Sequence, residues 1–135
     1  MAKQSPDLYF RIRDNGALVF RLDTENRHRR LDMEHVATVN IAKGEFKNQG
    51  DRVLTGDEEE AIGAWITARR SLLALREMEA IRTAMEQMNL AAQWAQSKAT
   101  DEQLDAVTND LLMTMHDLRS VLVRRAAERA RDPNE

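Results

Sequence analysis

From Thr55 to Asp132 no proline interrupts the chain, and two helical patterns fill that stretch with only Ser97–Ala99 between them. The first runs from about Gly56 to Ser97. At 1.5 Å per residue, some 40 residues reach roughly 60 Å. A compact chain of 135 residues has a radius of gyration of about 14 Å, hence a diameter of roughly 37 Å. A straight helix of that length cannot be covered by its own domain. It must kink, project, or pack against a second copy.

Both helical patterns open on a capping box. Thr55 stands three residues before Glu58, and Thr100 three before Gln103, so hydroxyl and side chain can satisfy each other's backbone N–H groups. Ala99 and Leu104 are placed for the accompanying hydrophobic staple. Asp57, Glu58, Glu59 and Glu60 fall on the first turn, where carboxylates complement the helix dipole. Successive residues point in different directions around a helix, so those four acids cannot converge on one ion.

The apolar spacing then divides the first helix. Ala61, Trp65, Ala68, Leu72 and Leu75 follow alternating steps of four and three, and Met78, Ile81, Met85, Met88, Ala92 and Ala95 continue them. From Leu75 to Met78 a step of three replaces the four that was due, as in a stammer. Leu73 and Ala74 broaden the stripe there. Gly63 weakens the first turns and would allow a strand to approach closely. One part is thus expected to pack on its own sheet, the other on helices. The second helix runs to about Arg131, ahead of Asp132 and Pro133, with a nearly straight stripe of Leu104, Val107, Leu111, Met115, Leu118, Leu122 and Ala126. A short joint between two long helices predicts an antiparallel hairpin. Trp65 and Trp94 read as half-buried anchors. Arg119, Arg124, Arg125, Arg129 and Arg131 complement the C-terminal dipole of the second helix, or meet an acidic partner or a phosphate.

Ahead of the helices, Leu8–Arg13 and Leu18–Leu22 alternate apolar and polar residues around Asp14, Asn15 and Gly16, a hairpin signal. A two-residue loop at Asn15 and Gly16 would divide the apolar side chains between two faces. A three-residue loop pairs Ile12 with Leu18, Phe10 with Phe20 and Leu8 with Leu22, and collects all six on one face. The buried face decides register, so the three-residue loop is expected. Residues 23–26 read as a turn, His28–Met33 as a third strand with Leu31 and Met33 inward, and Val36–Ile41 as a fourth. Ala42–Gly44 would turn the chain back through Glu45–Lys47. The fold class expected is α+β, an antiparallel meander of four or five short strands followed by a long two-helix hairpin. It forms a single domain, residues 1–54 supplying the sheet and 55–132 the hairpin.

Composition narrows the function. There are no cysteines, which removes disulfides, thiolate chemistry and cysteine zinc sites and suits a reducing cytoplasm. The opening Met1–Pro6 has no apolar core, so no secretory signal is expected, and no stretch approaches the ~18 apolar residues of a membrane span. Net charge is −3, with 10 Lys/Arg against 8 Asp/Glu in residues 1–55 and 10 against 15 in the remainder. His28, His35 and His116 have no second ligand at metal spacing on one helix face. Glycine-rich phosphate loops and a nucleophile elbow are missing. No catalytic residue, cofactor or metal is expected.

Three readings remain, led by a non-catalytic interaction module that homo-oligomerises, as a dimer, through its helices. Its interface would be Leu72, Leu75, Met78, Ile81, Met85 and Met88 with Leu111, Met115, Leu118 and Leu122, since pairing two hairpins into a four-helix bundle covers stripes that one hairpin leaves open. The second is nucleic-acid binding by the outer sheet face, expected to carry Tyr9, Arg11, Arg13, Arg21, His28 and Arg30, with the helices as the dimerising part. Asp14, Asp23, Asp32 and Glu34 lie close in sequence and dilute that field, and the plainer reading of the same face is a solvated polar surface. The third is capture of a protein partner's helix by the methionine-rich seam of Met78, Met85, Met88, Met113 and Met115, which otherwise serves as core.

Overall fold

The structure, a computed structural model, describes residues 6–23 and 32–131. Four strands, β1 (Leu8–Arg13), β2 (Gly16–Asp23), β3 (Asp32–Asn40) and β4 (Glu45–Asn48), form one antiparallel meander in chain order. Two helices follow, α1 (Gly56–Ser97) and α2 (Asp101–Arg131). The architecture is therefore the expected α+β meander and helical hairpin. The chain divides into two compact units, Met1–Ile81 and Arg82–Glu135. The division falls inside the unbroken α1, one turn beyond the irregular step at Leu75–Met78, and not at the junction of sheet and helix.

In the first unit the hairpin register differs from the expected one. Arg13 pairs with Gly16, Ile12 with Ala17, Phe10 with Val19 and Leu8 with Arg21, so the two-residue turn is Asp14 and Asn15. Gly16 is a strand residue, pressed on β3 opposite Asn40. A Cβ added there would lie 1.8 Å from the Val39 carbonyl oxygen, and only glycine permits that approach. The Ile41 N–H closes the end of the hairpin on the Asn15 carbonyl at 2.9 Å. Moving Gly16 out of the turn shifts the register by one, and that shift turns β2 over. Ala17 and Val19 face the core, whereas Leu18, Phe20 and Leu22 face outward. The six apolar residues do not share a face, and Ile12, though inward by alternation, stays 49% exposed.

Asp32 and Met33, the described end of the expected third strand, run on into the expected fourth as one strand, β3. Its pairing with β2 shifts between Val19 and Phe20, where Val36 has no cross-strand partner. This bulge lets the adjacent Val36 and Ala37 both turn into the core. Met33, expected inward, lies opposite Leu22 and is exposed. His28 and Arg30, expected on the outer face, and Leu31, expected inward, lie outside the described residues. Val39 pairs with Phe46 of β4 and completes the inner face.

The core of this unit is Ala17, Val19, Val36, Ala37, Val39, Leu54, Ile62 and Ile66, with Leu8, Phe10, Ile41, Phe46 and Trp65 packed around it. Small side chains at Ala17 and Ala37 leave room for the helix, and the two isoleucines fill it. Trp65 stacks on Phe10 with centroids 4.4 Å apart and planes 6° from parallel. The sheet-facing stripe of α1 thus centres on Glu58, Ile62 and Ile66, one residue round from the expected Ala61–Trp65–Ala68 row. Gly63 is not a contact point for a strand, since a Cβ there would meet nothing within 4 Å.

Candidate oligomerisation surface

From Ala74 to Gln93 every residue of α1 is exposed, and α2 has no buried residue at all. Within the described part of the second unit only Trp94, Ala99, Leu104 and Val107 are even half-buried. All four lie beside the joint. There the chain turns through Lys98 and Ala99, whose N–H groups both reach the Trp94 carbonyl at 2.9 Å. The second capping box then starts α2. The Thr100 N–H donates to Gln103 Oε1 at 3.0 Å, and the Gln103 N–H donates to Thr100 Oγ1 at 3.1 Å.

From the joint outward the two helices border an open groove of about 360 Å³. Met88, Ala92 and Ala95 line it from α1, and Leu104, Leu111, Met115 and Leu118 from α2. Thr108 and Thr114 reach it too, but their hydroxyls donate back to the Leu104 and Asp110 carbonyls of their own helix, at 2.6 and 2.9 Å. The threonine hydroxyls are therefore already satisfied, and the wall is apolar. Such a surface has one chemistry to offer, the release of water on contact with another apolar face.

All ten residues expected at an oligomer interface are exposed in the single chain. Leu72 is the least so, at 39%, and Leu122 the most, at 59%. Leu75, Met78, Ile81 and Met85 carry the stripe along α1. Among the described residues no helix is long and apolar enough to cross a membrane.

No family model, curated protein or solved structure matches this chain.

The face expected to bind nucleic acid is composed differently from its sequence reading. Tyr9, Arg11 and Arg13 alternate onto the outer side of β1, but Arg21 lies on the inner side, because β2 is turned over. Its guanidinium belongs to the junction of β2 and α1. Nε donates to Glu58 Oε2 and Nη2 to Glu58 Oε1, both at 2.7 Å, and Nη1 reaches Glu34 at 3.2 Å. Arg52 also pairs with Glu34. Glu58 is 4% exposed and accepts the Thr55 N–H at 2.9 Å as well. The hydrogen bonds from Arg21 hold the Glu58 carboxyl below the usual carboxylate range, against the opposing effect of burial. Glu58 was legible as a cap, while its partner was not, since the two are 37 residues apart. The one clue is that Arg21 lies in step with Ala17 and Val19.

On the outer side, Phe20 replaces Arg21 as the central residue. The Arg11 guanidinium sits 4.5 Å from its ring centroid, with the Tyr9 and His35 rings 6.2 and 5.2 Å away. His35 Nε2 lies 3.0 Å from the Ala37 carbonyl. His116 stands exposed on α2.

Proposed function

We propose that this chain is a non-catalytic interaction module that self-associates through residues 72–122, two copies combining their helices into a four-helix bundle. The observation that carries this reading is that none of the 31 residues of α2 is buried, although their leucines and methionines are spaced as a continuous seam. Helices of globular proteins owe most of their stability to packing of such a seam. A second copy supplies the missing surface.

The energetics favour association. Ten side chains per copy are about half exposed, and closing each is worth about 1 kcal/mol. Two copies then gain on the order of 20 kcal/mol gross, above the roughly 4–15 kcal/mol lost in translational and rotational freedom. The methionines add tolerance, because their unbranched side chains fill irregular gaps.

Light scattering on the purified protein tests the reading. A dimer mass at tens of micromolar is the expected result, and a monomer overturns it. Nucleic-acid binding has weaker support. Arg21 is engaged by Glu58, and Arg11 lies over the Phe20 ring, so two of the expected arginines already have partners within the chain.

A further inference from the structure

Resting on that reading, we propose that α2 of one copy lies antiparallel along α2 of the other, seam on seam, and that this contact sets the orientation of the dimer. The argument begins with the symmetry of the spacing. Reversing α2 about Met113 carries Leu104 onto Leu122 and Leu111 onto Met115, and brings Val107 within one residue of Leu118. The seam is therefore its own partner when inverted, which is the requirement of a two-fold contact, where one patch meets itself. Leu104, Val107, Leu111, Met115 and Leu118 face the open groove, and Leu122 is exposed beyond it, so the inverted helix of a second copy has room to enter along them.

Charge points the same way. The first turn of α2 carries Asp101 and Glu102, and the last carries Arg129 and Arg131. Asp105 extends the acidic end, and Arg119, Arg124 and Arg125 extend the basic one. A parallel pair would set acid against acid and arginine against arginine. An antiparallel pair sets each acidic end against a basic end, and opposes the helix dipoles favourably. One pair is specific. At 100° per residue Asp105 and Arg119 lie on the same flank of the seam, and the inversion that aligns the leucines brings each to within about half a turn of the other's counterpart. On antiparallel helices equal flanks face one another, so each copy's Asp105 is set towards the other's Arg119, and the dimer holds two such pairs.

The sequence has no cysteine, which makes cross-linking clean. A sample of Leu104→Cys mixed with Leu122→Cys, treated with a short bismaleimide, is expected to yield a linked pair containing one of each variant. Neither variant alone should link. Linked pairs of Leu104→Cys with itself, or no linkage in a sample that light scattering shows to be dimeric, overturn the antiparallel contact and leave self-association standing. A monomer in the same measurement overturns both. A second pair of variants gives an independent result. Asp105→Lys and Arg119→Glu change only exposed positions, and each alone places like charges twice across the dimer. Each alone should weaken self-association about tenfold at low salt, and mixing the two should restore it. If the mixture is no tighter than either variant alone, the proposed pairing is wrong.

Discussion

Arg21 of β2 and Glu58 of α1 meet through two hydrogen bonds of 2.7 Å, a forked pair that ties the sheet to the first turn of the long helix. The carboxylate is buried, whereas the outer edge of the guanidinium is in water. Arg21 also donates to the Val53 carbonyl at 3.1 Å, and so fastens the segment that leads into the helix. Arg21→Met leaves a buried carboxylate with its Thr55 bonds alone. Because the arginine is partly wet, the cost falls below that of a fully buried pair, at about 2 kcal/mol. Urea denaturation measures it. The double change Arg21→Met, Glu58→Met should cost less than the two single changes added, since it leaves no unpaired charge.

Acid should remove the same contribution. Hydrogen bonding from Arg21 is the leading cause that lowers Glu58 from its ordinary 4.5, with burial opposing. A carboxylate held low in the folded state binds fewer protons there than in the unfolded chain. Its contribution is complete above about pH 4.5 and is lost as pH falls through the depressed folded value. Arg21 itself is raised further above its ordinary range and stays charged throughout. Denaturation midpoints between pH 7 and 2 should therefore fall more steeply for the native chain than for Glu58→Gln.

Two glycines make opposite predictions. Gly63 lies inside α1 with open space around its missing side chain. Gly63→Ala should stabilise by about 0.5–1 kcal/mol through helix propensity. Gly16→Ala forces a methyl onto the Val39 carbonyl oxygen, a backbone atom that cannot step aside. It should cost at least about 2 kcal/mol. Thermal melts of the two variants read both signs.

Thr100 begins α2 with both bonds of its capping box made. Thr100→Ala should lower stability by about 1 kcal/mol. Amide exchange should quicken first at the N–H groups of residues 101–103.

Self-association adds a prediction of mass action. The melting temperature should rise with protein concentration, by several degrees for each tenfold increase. A Leu111→Glu, Met115→Glu variant should lose that dependence, because it charges the centre of the seam.

The helices were readable in the sequence almost to the residue. Thr55 with Glu58, and Thr100 with Gln103, close hydrogen bonds over three residues, and the leucine and methionine spacing carries its period within a few turns. Each of those signals is local, so it survives without knowledge of the rest of the chain. The exposed seam follows from the same periodicity.

The sheet register is another matter. Counting apolar residues favours placing Phe20 inward, and the chain places Val19 and Arg21 there. That choice depends on Gly16 fitting beneath the Val39 carbonyl, on the bulge that admits both Val36 and Ala37, and on Arg21 finding Glu58. Local sequence determined where the helices begin and end and which of their faces is apolar, because helical bonds join residues four apart. Only the tertiary structure decided which face of β2 is buried, and with it which arginines reach the outer surface. The partners that decide it lie some twenty to forty residues along the chain, and a one-residue slip reverses every side chain of the strand.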